Sequence, residues 1–452
     1  MNRLHTLASL VLSLSLGTST AFAAVSADEA QQLKTTLTPF GSERAGNKDG
    51  SIPAWTGGLT SAPGYVKGSR RPDPFAHEKP LYSVTQKNLA EHEAKLSEGL
   101  KAMLKRYPDE FRIDVYPTHR TSAAPQWVYD NTLRNATKAK LVKGSAGDYP
   151  EGAYGGIPFP IPKSGLEAMW NHELRWRAPS WQQSNKGFLI TPEGRHILSS
   201  EATVTVQNPY YFQGGEAKYT GEYWLASGNT SAPAIRAGEG LVLRYNVDAN
   251  KTQGWLYLAG QRRVRKLPNN CCDTPAPFTA GITTFDEISV WGGRMDRFDW
   301  KIVGKQEMLI PYNSNRTALV PSAEEVLGKR FIKPEHVRWE LHRVWVVEAN
   351  LKPGQRHVSP RSRYYLDEDS WTVVLSDRWD AQNNLARMGY ALLFAAPDLP
   401  GVWGGTWGVV DLTAGSAYVQ DLYNDQPKQI TLQDLVPDSV FTPDYFVGGS
   451  LR

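Results

Sequence analysis

The run Leu241–Pro268, LVLRYNVDANKTQGWLYLAGQRRVRKLP, constrains the fold more than any other stretch of the chain. It reads as two β-strands, 241–247 and 255–266, joined by the turn-rich segment 248–254. Side chains alternate along a strand, so Trp255, Tyr257, Ala259, Gln261, Arg263 and Arg265 share one face. Leu256, Leu258, Gly260, Arg262, Val264 and Lys266 share the other. The first half is apolar on both faces and the second half ends in four cations. A strand of that kind runs from a dry interior to a charged rim, and its inner half needs cover on both sides.

The same period recurs downstream. In 298–310, Phe298, Trp300, Ile302, Met308 and Ile310 point one way, and Asp299, Lys301, Lys305 and Glu307 the other. In 339–351, Trp339, Leu341, Trp345, Val347, Ala349 and Leu351 share a face interrupted by Arg343. Residues 362–378 read as a hairpin turning at Asp367-Glu368-Asp369, and 389–420 as further strands divided by Pro and Gly. Helix signals are fewer. Ser26 with Glu29 makes a capping box, 85–106 carries an amphipathic stripe, and 164–176 repeats Leu166, Met169, Trp170 and Leu174. Short helices are predicted at 285–291 and 322–327. From Pro39 to residue 82, Gly and Pro dominate and predict an extended wrap. The expected fold is α+β: one large, curved antiparallel sheet with helices packed on its concave face.

The first residues have the layout of an export leader: Arg3, an apolar core from Leu7 to Leu16, then Ala21-Phe22-Ala23. Ten apolar residues fall short of the roughly 20 that span a bilayer. Cleavage after Ala23 is expected, and with no cysteine following the apolar core, no lipid anchor. The expectation is a soluble periplasmic protein with no transmembrane segment in its mature chain. Basic and acidic residues nearly balance, 50 against 46, which argues against nucleic acid as the partner. The two cysteines, Cys271 and Cys272, are adjacent; they either close a vicinal disulfide or stay as two thiols.

Signatures of catalysis are sparse. No Gly-x-Ser-x-Gly elbow occurs, and His92-Glu93 and His172-Glu173 are followed at i+4 by Leu96 and Trp176 instead of a second histidine. Gly404–Gly408 lacks the Lys-Ser or Lys-Thr of a phosphate loop. No cofactor and no metal site is expected. Asp367, Glu368 and Asp369 read either as a solvated turn or as carboxylates for glycan or calcium chemistry. Arg262, Arg263, Arg265 and Lys266 read either as a solvated strand end or as a rim for anionic head groups or a partner.

Beyond the hairpin, four blocks carry a resemblance: Leu37–Gly58 (LTPFGSERAGNKDGSIPAWTGG), Arg297–Asn313 (RFDWKIVGKQEMLIPYN), Glu340–Leu351 (ELHRVWVVEANL) and Tyr364–Trp371 (YYLDEDSW). In order and content they resemble the DUF1329 family, exported proteins of Gram-negative bacteria related to the lipoprotein carriers LolA and LolB. The resemblance implies a LolA/LolB-like half-barrel over 83–452, preceded by the leader 1–23 and a wrapping segment 24–82. It also implies a hydrophobic ligand, a lipid or acyl group, between sheet and helices. Partners implied are a resistance-nodulation-division (RND) transporter and a DUF1302-type outer-membrane protein. Cavity-lining candidates are Trp255, Tyr257, Trp300, Trp339, Leu341 and Trp345, although a solid aromatic core explains the same pattern. The expected function is therefore a periplasmic carrier of a hydrophobic ligand, not an enzyme. A hydrolase acting on lipid or glycan through Asp367 or Asp369, and a protein-binding assembly factor, stand as alternatives.

Overall fold

The computed structural model describes residues 25–449, apart from 64, 67, 268–270 and 427–428. The expected leader lies outside the described residues. Two consecutive meanders build the sheet. One runs through Ser180–Ile190, His196–Gln207, Glu222–Ala232, Gly240–Asn246, Gln253–Leu258 and Arg263–Lys266. The other runs through Trp339–Leu351, Arg361–Asp367, Val373–Trp379, Leu385–Ala396, Gly401–Asp411 and Ala417–Leu422. The last strand of the second pairs antiparallel with the first strand of the first, so distant parts of the sequence seal the two halves. With Phe298–Pro311 along Trp339–Leu351, Ile430–Leu432 along Ser180–Ile190, and Tyr82–Val84 and Ile113–Val115 at one edge, 16 strands form a single open sheet. The pairing is antiparallel except where Trp339 meets Val115.

Both faces of the central strands are covered. On Val373–Trp379 and Leu385–Ala396, Asp377 stands opposite Met388, and Ser376 opposite Gly389. Helix Glu98–Arg106 packs on the first pair: a Cβ on Gly99 would lie 2.5 Å from Met388 Cγ and 2.6 Å from Asp377 Oδ1. Val290 packs on the second pair, and with it come Trp291 and helix Gly165–Glu173, whose His172 donates from Nε2 to Trp291 O at 3.0 Å. Alternation plus double cover leaves every residue of Val373–Trp379 buried. The expected sheet-and-helix architecture is present, with helical cover on each side of these strands.

Local differences from the sequence reading have physical causes. The predicted helix 85–106 breaks at Leu96, which is extended. Asp377 reaches from the sheet to accept from Glu98 N and Gly99 N, both at 2.9 Å, and from the Ser97 hydroxyl, fixing a new helix start there. Helix Gln126–Lys138 was not expected, because its inward stripe includes Thr132 and Asn135. Asn135 faces the core to bind the carbonyls of Gly156 and Ile157, at 3.2 and 3.3 Å.

The predicted strand 255–266 is in fact a hairpin. The chain turns through Ala259–Gln261 and Arg262, with φ +48°, and Arg263–Lys266 returns alongside Trp255–Leu258. Upstream, the described residues between 25 and 81 pack against distant parts of the chain. Ala30 and Leu33 pack on Ala136, Trp55 donates to Ser122 O at 3.0 Å, and Arg71 grips Asp398 through two bonds of 2.7 and 2.9 Å.

Candidate functional site

A cavity of about 180 Å³ opens on one face of the first meander. Its wall follows the period-two rule. Ala202, Val204 and Val206 come from one strand, Trp224, Ala226 and Gly228 from the next, and Leu241 and Leu243 from the third. Trp181 and Trp403 close the side where the meanders meet, edge to face at 4.8 Å. Ala202, Ala226 and Gly228 supply no bulk where their neighbours supply tryptophan, and the hollow results. Phe278, Ile288 and Ser289 overhang it. This roof is a 3₁₀ segment with a break at Ile288–Ser289, and Ser289 (φ +52°) and Val290 (φ +74°) hold left-handed conformations costly for a side chain, above all a β-branched one. Its root is fixed, because Asp286 pairs with Arg378 at 3.2 Å and His357 at 2.8 Å. Burial raises the Asp286 carboxyl, but the Arg378 charge and the hydrogen bond to His357 outweigh it and hold it at about 2.

Polar groups enter this cavity at two places. Asp421, at φ +58° where the strand pairing slips, accepts from Trp407 Nε1 at 3.1 Å and Gln183 Nε2 at 3.2 Å. Burial, with no ion pair among the described residues, pushes its carboxyl up to about 7. Arg175 and Arg177 enter from the chain that leaves helix Gly165–Glu173. Neither was singled out by sequence, although two arginines at i and i+2 flanking Trp176 inside an apolar stretch are a usable signal.

None of the six aromatic and aliphatic candidates lines this cavity. Trp255 and Tyr257 sit on the opposite sheet face with Val242, beneath Phe446 of the C-terminal helix, because Leu241 and Leu243 take the cavity side. Trp300 packs against Trp291 at 4.9 Å and donates to Met295 O at 2.8 Å. Trp339 and Leu341 are core residues, Trp339 stacking on Phe331 at 6.3 Å. Trp345 stacks on Trp371 at 5.9 Å beneath the Lys305 ammonium. Arg262, Arg263, Arg265 and Lys266 are exposed along the sheet's outer edge, where cations discourage strand addition.

The acid cluster is not a solvated turn. Asp367, Glu368 and Asp369 are 0, 2 and 4 % exposed, covered by residues 40–55 and by Arg120. Arg120 holds Asp369 bidentately at 2.6 and 2.8 Å and donates to Glu43 O at 2.8 Å. Glu368 meets Lys305 at 3.0 Å and Arg343 at 3.3 Å. His342, Asp367 and Asp369 each bring a donor atom within 4.8 Å of the others. Asp369, however, has both oxygens on the Arg120 guanidinium, and Asp367 Oδ2 accepts from Ser370 N and Oγ. The arginine stands where a cation would, so the cluster reads as a buried ionic clamp on the N-terminal segment.

Cys271 and Cys272 are buried free thiols, and Cys272 has φ +63°. The hydrogen bond from Cys272, aided by Arg294 and Arg297, holds Cys271 down to about 7, while that bond and burial push Cys272 up. Cys271 borders a polar hollow of about 200 Å³ with Asp148, Tyr245, Arg294 and Asp296.

Among the described residues no helix is long and apolar enough to cross a membrane. The Uncharacterized protein PA3922 of Pseudomonas aeruginosa is 37 % identical over 444 residues, 96 % of each chain. A solved DUF1329 family protein from Desulfovibrio piger aligns at 12 % identity and TM-score 0.43, covering 62 % of this chain and 97 % of its own. An outer membrane lipoprotein-sorting protein domain from Vibrio parahaemolyticus aligns at 10 % identity and TM-score 0.44, covering 63 and 98 %. The profile described as "Protein of unknown function (DUF1329)" matches residues 83–452, and this chain belongs to that family.

Proposed function

We propose that the chain is a soluble periplasmic carrier that takes a hydrophobic ligand into the cavity on its first meander. The observation that carries this reading is the cavity itself. In a protein whose central strands are packed on both faces, tryptophan and aliphatic side chains enclose about 180 Å³ that Ala202, Ala226 and Gly228 leave unfilled. An engineered apolar cavity of roughly 150 Å³ admits benzene, whereas sites for drug-sized ligands run to about 300–1,000 Å³. As it stands the hollow holds a ring or a short alkyl segment. A full acyl chain requires the roof at Ile288–Ser289 to lift, and a roof that lifts for entry also permits release.

Burial of each methylene contributes about 0.8 kcal/mol, so about ten buried methylenes supply micromolar affinity before ordering costs. Delivery to an RND-type transporter or a DUF1302-type outer-membrane protein completes the proposed route. Native mass spectrometry of protein purified from its own periplasm, with analysis of extracted lipid, tests the reading. A stoichiometric lipid is expected on the wild type and is expected to be missing from Ala226→Trp, which fills the hollow. Denying the cavity three methylenes lowers affinity roughly fifty-fold. A clean apo mass with no uptake from a mixed lipid panel would sink the carrier assignment.

A further inference from the structure

Resting on the reading of the cavity as a ligand site, we infer that its occupant is an amphiphile with an anionic head group, a carboxylate or a phosphate, held by Arg175 and Arg177 while the tail lies along the apolar wall. Both guanidinium groups line the cavity at its junction with a smaller hollow of about 40 Å³. Arg175 is more than nine-tenths buried. Each arginine is anchored by a backbone carbonyl at the end of the preceding helix: Arg175 Nη1 donates to His172 O at 2.5 Å, and Arg177 Nη2 to Glu173 O at 2.6 Å. A guanidinium has five N–H donors, so most of each fork is left for something else.

Among the described residues neither arginine forms an ion pair. Among the described residues every other buried arginine has a carboxylate: Arg71 has Asp398, Arg120 has Asp369, Arg338 has Glu340, Arg343 has Glu368 and Arg378 has Asp286. The charged neighbours do not supply the missing partner. Glu173 makes no direct ion pair with them, accepting instead from Gly293 N at 3.1 Å and Tyr223 OH at 3.4 Å; burial raises its pKa and the two arginine charges only partly oppose that. His172, its pKa pressed well down by burial, offers Arg175 Nη1 an uncharged ring at 3.3 Å, and its Nδ1 already accepts from Val373 N at 2.9 Å. Asp421, on the strand wall, is bonded to Trp407 and Gln183.

Burial depresses the proton affinity of both arginines, the Arg177 charge adds to this at Arg175, and the Glu173 charge offsets it only in part. Two planar forks one residue apart match the paired oxygens of a carboxylate or phosphate. The wall of Val204, Val206, Leu241 and Leu243 matches a hydrocarbon tail.

Fluorescence titration of the full exported protein with cis-parinaric acid and with its methyl ester tests the assignment, since the two probes share a tail and differ in charge. The acid is expected to bind at least about tenfold more tightly than the ester, the scale of a charge-assisted hydrogen bond. Arg177→Gln is expected to erase the ratio between acid and ester, and Arg177→Lys to keep part of it. Displacement of the acid by lysophosphatidate or by oleate then tells a phosphate preference from a carboxylate one. Equal affinity for acid and ester in the wild type overturns the head-group assignment and leaves the carrier reading standing. Binding of neither probe, together with a clean apo mass, removes the carrier reading and this inference with it. The wild-type comparison needs no variant, so a misfolded mutant leaves the test intact.

Discussion

Replacing Asp421 by Asn should change how stability depends on pH more than it changes stability itself. The ordinary aspartate value is 3.8, and burial beside the cavity lifts this carboxyl to about 7. The folded chain therefore holds a proton that the unfolded chain releases, so the group's contribution is whole below about pH 4 and is lost as pH rises through 7. A rise of about three in pKa, at roughly 1.36 kcal/mol for each, sets the full swing at about 4 kcal/mol, with a slope near 1.4 kcal/mol per pH unit in between. Asn cannot titrate, and whatever it costs in hydrogen bonds to Trp407 and Gln183 is constant with pH. Urea denaturation of both proteins across this range is the assay. From about pH 4.5 to about pH 7 the variant should gain about 3 kcal/mol on the wild type, with equal m-values. Parallel profiles would refute the reasoning, because they would mean that Asp421 ionises in the fold as easily as in the unfolded chain.

Arg120→Met leaves Asp369 buried without its cation and frees Glu43 O, so a loss of about 3–5 kcal/mol in urea denaturation is expected. Trypsin should then cut within residues 25–63 before it cuts the sheet, and a loss under about 1 kcal/mol with an intact N-terminal segment would contradict the clamp. Gly99→Ala should destabilise by more than about 1 kcal/mol, against the usual helix preference for alanine, since the new Cβ meets Met388 and Asp377 at 2.5 and 2.6 Å. Thermal unfolding that shows the alanine variant as stable as wild type would mean the sheet yields to it.

Much of the fold was legible because its strands obey period two. The first strand of the hairpin that begins at Leu241 and the long pair 298–311 and 339–351 follow from alternation, and the helix at 165–173 from the helical spacing of Leu166, Met169, Trp170 and Leu174. The reversal at Ala259–Arg262 was not legible: only Gly260 marks it, and the left-handed residue is an arginine. The acids at 367–369 read as a wet turn because the groups that bury and neutralise them, Arg120 and the backbone of residues 40–55, lie more than 240 positions away. Cavity residues posed the same difficulty. Alternation sorts a strand into two faces and does not say which face meets a hollow. The choice of Trp255 over Leu241 and Leu243 depended on Phe446 covering the other side, a contact between chain segments some 190 positions apart.

The two meanders divide the work physically. Val373–Trp379 and Leu385–Ala396 are filled on both faces and pinned at one end by the Arg120–Asp369 clamp, so any displacement there breaks packing and a buried ion pair together. The first meander has wall positions at Ala202, Ala226 and Gly228, and its roof rests on left-handed residues at Ser289 and Val290. Ile288 and Ser289 are half-buried beside the cavity, whereas Arg378 and His357 hold the buried Asp286 at the root of that segment, so the proposed opening is confined to its tip. A carrier needs this asymmetry. A frame that opened as readily as its lid would lose the ligand to water, and a lid as tightly packed as the frame would never release it.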